Sequence, residues 1–336
     1  MNRQVQVASQ GYIPVDLNSL RVDSVLDFHL YIAVDGDYVL YRAPSMTFTE
    51  KARQALIEHG QKFIYIAQRD RKAYQQYIES HLPDIINDKT LGEEARSTIV
   101  YNSARMLVKD LMEKPSLPEN LKRSLGMVEI TALHLLKSQD AFYHTVMAMP
   151  FNYSTYTHSV NVCIFSLALA DRIGVTGKSE IHTLGTGALL HDIGKARIPI
   201  EIIEKPGILT EAEMMIVRRH PQYGFEIIIN SNIIPHDAHF PILQHHEREN
   251  GTGYPHSLQS KDIHKYSKIV AIADVFDAMT SKRSYREAKG AFPALKEMYD
   301  DAYAFDRDLL EEFTRLLGAS NIAAKKQQPG SDNPQH

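Results

Sequence analysis

Residues 189–195 read Leu189-Leu190-His191-Asp192-Ile193-Gly194-Lys195, and the apolar run that begins at Ala188 feeds directly into the adjacent His191 and Asp192. An ionisable pair at the end of a hydrophobic helix is costly to bury unless a partner or a metal ion neutralises it. A metal is the simplest compensation, and the chain offers further donors of the same kind. His158 stands near the start of an apolar stretch, His220 in RRHPQYG, His245 and His246 in QHHEREN, and Asp274 in VAIADVFDAMT. Mixed imidazole and carboxylate ligation suits iron, manganese, zinc or nickel better than calcium or magnesium, which favour oxygen. These seven side chains exceed the needs of one site and suit two metals with a bridging carboxylate. Taken singly, each also has an ordinary reading: His158 as a hydrogen-bonded core residue, Asp274 as a satisfied helix carboxylate, His245-His246 as a solvated pair. A second His-Asp dipeptide, His236-Asp237, follows Pro235 without an apolar lead-in and reads as a turn.

Outward from this segment the chain is helical, with no strand alternation between residues 150 and 318. Thr210 followed by Glu213 makes a capping box for the helix expected to carry His220. Upstream, residues 93–149 show helical spacing of Ile99, Met106, Leu107 and Leu111, then of Leu121, Leu125, Val128, Leu135 and Leu136, broken by Pro115 and Pro118. That region is a connector or a dimerisation element; both bury an apolar stripe. Nearer the N-terminus, Phe28, Leu30, Ile32 and Val34 alternate with His29, Tyr31 and Ala33 before Asp35-Gly36, which predicts a hairpin. Thr49 and Asp70 are candidate caps for helices ending before Gly60 and running toward His81, with a strand over residues 62–66 between them.

The expected organisation is therefore a small α+β domain over residues 1–88, a helical connector over 89–149, an all-α bundle over 150–318 and a disordered tail over 319–336. The length of 336 residues accommodates two domains, and the 43% hydrophobic fraction supports cores without disulfides. The single cysteine, Cys163, lies in an apolar run and reads as a small buried hydrophobe. A net charge of −4 argues against a DNA-binding role, and the absence of a signal core or a spanning apolar stretch points to the cytoplasm. Composition stands out only in its 16 histidines.

In their order, these segments resemble the HD-GYP family of phosphodiesterases, a branch of the HD metal-hydrolase superfamily. The resemblance runs over residues 153–286. It rests on YTHSVNV, HDIGK, RIPIEIIEKPGILTEAE, RRHPQYG, HHERENGTGYP with Gly253-Tyr254-Pro255, and ADVFDAMTSKRSYR. It implies an HD-type helical bundle that cleaves cyclic di-GMP to linear pGpG, in some members onward to GMP, with iron or manganese in the site. Carried over by motif position, the ligands are His158, His191, Asp192, His220, His245, His246 and Asp274, with Asp192 bridging. Two metals flanking a water lower its pKa and orient the resulting hydroxide for in-line attack. Asp192 and Lys195 are then the catalytic pair, Lys195 meeting the scissile phosphate. Arg283 and Arg286 suit a second phosphate, and Tyr254 shapes the loop that meets the substrate. Relatives with a third metal carry a glutamate four residues before the first histidine; this chain has Ser154 there, which implies a dinuclear site. The glycine-rich loop is also a candidate docking surface for a diguanylate cyclase or another signalling protein, and the connector for a homodimer. Two other readings stay open: a module that binds a cyclic dinucleotide or a protein without turnover, and a phosphohydrolase of a different nucleotide.

Overall fold

The computed structural model describes residues 11–150, 154–282, 287–301 and 303–319. The chain divides into two compact units, Met1–Ser103 and Ala104–His336. The expected tail from residue 320 onward lies outside the described residues.

The first unit contains β1 (Tyr12–Asp16), β2 (Ser24–Leu26), β3 (Leu30–Val34), β4 (Asp37–Arg42), β5 (Met46–Phe48) and β6 (Phe63–Ala67). Four of these strands form an antiparallel sheet in the order β1-β6-β3-β4, while β2 and β5 pair separately. The hairpin expected from alternation is β3–β4. Asp35 and Gly36 at its turn have φ of 51° and 95°, the left-handed pair whose twist matches the flanking strands. Helix α1 (Glu50–Glu58) opens as expected, with the Thr49 hydroxyl accepting from the Ala52 amide at 3.3 Å. Helix α2 (Arg71–Asn87) differs from expectation at both ends. Asp70 does not cap it, because its carboxylate is engaged by the His29 amide at 3.2 Å and ring at 2.9 Å, and the helix continues through Pro83. The division between the units falls within α3 (Glu93–Glu113).

The second unit continues with α4 (Pro118–Leu135), α5 (Gln139–Ala148), α6 (Thr155–Arg172), α7 (Lys178–Leu190), α8 (Ile200–Ile203), α9 (Glu211–Val217) and α10 (His220–Ile229). It ends with α11 (His239–Gln244), α12 (Lys265–Thr280), α13 (Ala291–Asp300) and α14 (Arg307–Ala319). It also holds an isolated extended bridge between Asn250 and Gln259. The Thr210–Glu213 capping box is present, but the helix it opens, α9, ends at Val217, and His220 starts a new helix. The cause is Pro221: a proline favours the first turn of a helix and resists continuation of the one before.

Helix α6 is the centre of this unit. Almost every residue from Thr157 to Ala170 is buried, and the helix packs against α7 and α12. Phe165 meets Phe276 and Phe313 edge-to-face at 5.4 and 5.8 Å, and those two meet each other at 5.1 Å. No helix among the described residues is long and apolar enough to cross a membrane. The aromatic trio sets an expectation: Phe165→Ala should cost about 3–5 kcal/mol of unfolding free energy. Urea denaturation followed by circular dichroism checks it, and a loss below about 1 kcal/mol would show that α6 is not the packing centre.

Candidate metal centre

Five elements deliver the candidate ligands from their ends rather than from their middles, α12 excepted. His158 lies in the first turn of α6. His191 caps the C-terminus of α7 and Asp192 follows it. His220 opens α10, His245 caps α11 with His246 next, and Asp274 sits within α12. His158, His191, Asp192, His220, His245 and Asp274 are all buried, and His246 is only partly exposed.

Ring orientation is fixed by what each imidazole does with its other nitrogen. Nδ1 of His191 faces the Ala188 carbonyl at 2.8 Å, Nδ1 of His220 the Val217 carbonyl at 2.7 Å, and Nδ1 of His245 the Pro241 carbonyl at 2.9 Å. A carbonyl only accepts, so each Nδ1 carries the proton, and in the neutral ring each Nε2 presents a lone pair. Those lone pairs converge. Nε2 of His220 and Nε2 of His245 are 3.1 Å apart, a separation at which two acceptors repel unless a cation lies beside them. His191 Nε2 and Asp192 Oδ1 are buried and have no hydrogen-bond partner among the described residues.

The two oxygens of Asp192 face different partners. Oδ1 lies 3.2 Å from His220 Nε2 and 3.9 Å from His245 Nε2. Oδ2 lies 3.4 Å from His191 Nε2, 3.7 Å from His158 Nε2 and 2.5 Å from Lys195 Nζ. Asp274 spans the remaining gap, with Oδ1 3.0 Å from His158 Nε2 and Oδ2 3.7 Å from His246 Nδ1. Two groups, His220 with His245 and His246, and His158 with His191 and Asp192, each bring their donor atoms within 4.8 Å of one another and can hold a divalent metal ion.

Burial and neighbouring charges push these groups toward the forms that could ligate a metal. Burial alone would raise Asp192, yet Lys195 and His191 outweigh it and hold the carboxyl well below its usual range. Asp274 behaves alike, with burial overcome by its bond to His158 and by His246. His220 is lowered by burial, His245 well below its ordinary value by burial and His191, and His246 likewise by burial and His245. Ionised carboxylates and neutral imidazoles are the forms that ligate.

Around this centre, Ser154 is engaged as the N-cap of α6 in a reciprocal box with Thr157. Tyr254 stacks on His246 at 4.6 Å between centroids. Burial and the facing charge of Asp274 push its phenol above the ordinary value, so it stays a hydrogen-bond donor. Arg283, Tyr285 and Arg286 lie outside the described residues. Two residues not singled out by the sequence reading complete the site. Asp277, one helical turn after Asp274 and fully buried, takes His158 Nδ1 at 2.8 Å and Asn161 Nδ2 at 2.9 Å. Glu247, buried next to the histidine pair, accepts the amides of His256 at 2.7 Å and Leu258 at 2.9 Å and so holds the loop that carries Tyr254. Asp277 had a signal in the sequence, its three-residue spacing from Asp274 on one helix face; Glu247 had none beyond adjacency to His246.

A family model described as an HD domain matches residues 157–309. The chain is similar to a cyclic di-GMP phosphodiesterase of Thermotoga maritima, with 31% identity over 269 residues, 76% of this chain and 70% of that one. It is similar to a cyclic di-GMP phosphodiesterase of Pseudomonas aeruginosa, with 33% identity over 198 residues, 59% of this chain and 48% of the other, so it spans about half that relative's length. Its fold is that of an HDG"Y"P protein from Bdellovibrio bacteriovorus, at a TM-score of 0.65 and 21% identity over 91% of this chain and 99% of the other.

The buried Asp277–His158 contact generates a prediction, because the partner on the far nitrogen of a ligating imidazole fixes its tautomer and raises its basicity. Asp277→Ala should weaken binding of Mn²⁺ about 10–100-fold in calorimetric titration while far-UV circular dichroism stays helical. Unchanged affinity would reduce Asp277 to a packing role.

Proposed function

We propose that this chain, which belongs to the HD-GYP branch of the HD-domain family, is a metal-dependent phosphodiesterase that opens cyclic di-GMP to linear pGpG. The observation that carries the reading is Asp192, whose two oxygens face two separate groups of imidazole lone pairs. This arrangement supports a reading as a dinuclear centre in which Asp192 would serve both ions. His158, His191, Asp192 and Asp274 would hold one metal, and His220, His245 and His246, with Asp192, the other. Iron or manganese fits this nitrogen-rich, oxygen-containing set. Ser154 offers a capping hydroxyl where a third metal would need a carboxylate, which supports two metals rather than three. When bound, the metals supply an activated water at neutral pH and Lewis-acid stabilisation of the phosphate.

The chain's own groups do the rest. Lys195 keeps an ammonium 2.5 Å from Asp192 Oδ2, where a phosphate oxygen entering the site would take a charge-assisted hydrogen bond from it. That donor sits where negative charge grows as the phosphodiester is attacked, so its contribution is larger in the transition state than in the ground state. Tyr254 retains its proton and can donate to a second oxygen. The buried imidazoles exclude bulk water from the reacting phosphate, which strengthens each of these contacts. The ligand set reads phosphate and not base, so the guanine preference comes from the relatives the chain resembles.

The deciding experiment is hydrolysis of cyclic di-GMP by protein loaded anaerobically with iron or manganese, with linear and mixed-base analogues in parallel and metal content measured on the same sample. Metal-dependent accumulation of pGpG is expected. Absence of product with about two metals bound would overturn the assigned activity, and preferential cleavage of a mixed-base analogue would overturn the assigned base. Combined His191→Ala and Asp192→Ala should remove both turnover and most bound metal. Lys195→Ala should lower kcat by about 100-fold without loss of metal, because the variant removes a cation beside the ligands. Retained kcat in the lysine variant would remove it from the catalytic machinery.

A further inference from the structure

A cyclic dinucleotide carries two phosphodiesters on opposite sides of one macrocycle, and the centre described above neutralises only the one being cut. Resting on the reading that this macrocycle is the substrate, we propose that Arg218 is a contact for its second phosphate, alongside the Arg283 and Arg286 expected there from the sequence. Arg218 ends α9 two residues before His220, and its amide bonds to the Met214 carbonyl at 2.9 Å. The turn that turns His220 inward thereby leaves Arg218 exposed on the rim.

Its guanidinium lies over the ring of Tyr254, with Cζ 5.3 Å from the centroid, and Tyr254 in turn stacks on His246 at 4.6 Å. An imidazole of the centre, the loop tyrosine and the arginine are therefore linked in sequence from the metal site to solvent. A cation–π contact is electrostatic and takes up no hydrogen-bond acceptor, so the tyrosine holds the cation without consuming all its N–H donors.

Comparison with the neighbouring cations singles this residue out. Lys195 is paired with Asp192, Arg197 with Glu226 at 2.5 Å, and Arg248 donates to the carbonyls of His245 and Glu247 at 3.2 and 2.9 Å. Arg219 also lacks a carboxylate among the described residues, but it lies over Tyr223, whose ring stacks on no candidate ligand among those residues. Arg218 has no carboxylate partner among the described residues, and the ring it stacks on contacts a candidate ligand.

The test is steady-state kinetics of the manganese-loaded full chain, wild type against Arg218→Ala and Arg218→Lys. The two substrates are cyclic di-GMP and bis(p-nitrophenyl) phosphate, which has a single phosphodiester. Arg218→Ala should raise KM for cyclic di-GMP about tenfold or more with kcat little changed, the scale of one lost charge-assisted contact. The loss in kcat/KM should be at least about tenfold larger on cyclic di-GMP than on the small diester. Arg218→Lys should recover part of it, since a lysine keeps the charge but not the planar fork. An unchanged KM, or equal losses on both substrates, would overturn the assignment; equal losses would make Arg218 a support for Tyr254. A wild-type protein that cleaves the small diester but not cyclic di-GMP would overturn the substrate reading itself and the assignment with it.

Discussion

The structure of the second unit turns on one arrangement, imidazole N–H groups spent on backbone carbonyls so that their opposite nitrogens face inward. The carbonyls concerned lie at Ala188 near the end of α7, Val217 at the end of α9 and Pro241 in α11. Carbonyls near a helix end have spare acceptor capacity, so a ring that bonds one commits its own tautomer; the Pro241 carbonyl takes the His245 amide as well, at 3.1 Å. The uncompensated result is a buried cluster of lone pairs around Asp192 and Asp274. The chain relieves part of it internally, through Lys195 on Asp192 and through Asp277, which is saturated by His158 and Asn161. What it leaves unrelieved, at His191 Nε2, Asp192 Oδ1 and the His220–His245 contact, is what a cation would settle. Metal binding and the stability of this unit are therefore coupled.

Helix ends can meet so closely only where side chains are absent. A Cβ on Gly194 would overlap the His220 carbonyl and the Gly224 amide, and one on Gly187 would come within 2.7 Å of the Ala238 carbonyl. Gly194 thus lets the turn after Asp192 lie against the start of α10, the approach that brings Asp192 Oδ1 to His220. The glycine in the LLHDIGK segment is a packing requirement of the ligand geometry, while the lysine after it carries charge.

Much of this convergence was readable from the chain, because His and Asp at the ends of apolar runs are hard to explain singly. An apolar run ending in His191-Asp192 has few bland interpretations once His220, His245 and Asp274 stand in similar settings. The β3–β4 hairpin was likewise readable, since alternation and Asp35-Gly36 agree. Strands β1, β2 and β5 were not: they are three to five residues long, and only their partners in the sheet define them. Asp70 misled for a related reason. Its local position favours a cap, but a tertiary contact with His29, remote in sequence, claimed the carboxylate first. Asp277 and Glu247 act through other residues, and such roles depend on contacts that spacing alone does not specify.

Glu247 shows why ligand placement and substrate recognition are hard to separate in this chain. It follows His245 and His246 directly, and its carboxylate accepts hydrogen bonds from the backbone amides of His256 and Leu258, on the far side of the loop. Gly253 closes the arrangement, because any side chain there would overlap the backbone of Glu247 and Arg248. The loop between the two anchor points therefore cannot shift without moving the histidine pair. Tyr254, carried on that loop and stacked on His246, inherits its position from the metal centre rather than from the surface. Pressure on Tyr254 would reach His246, a candidate ligand, through the stacked ring, so the loop and the histidine pair would adjust together.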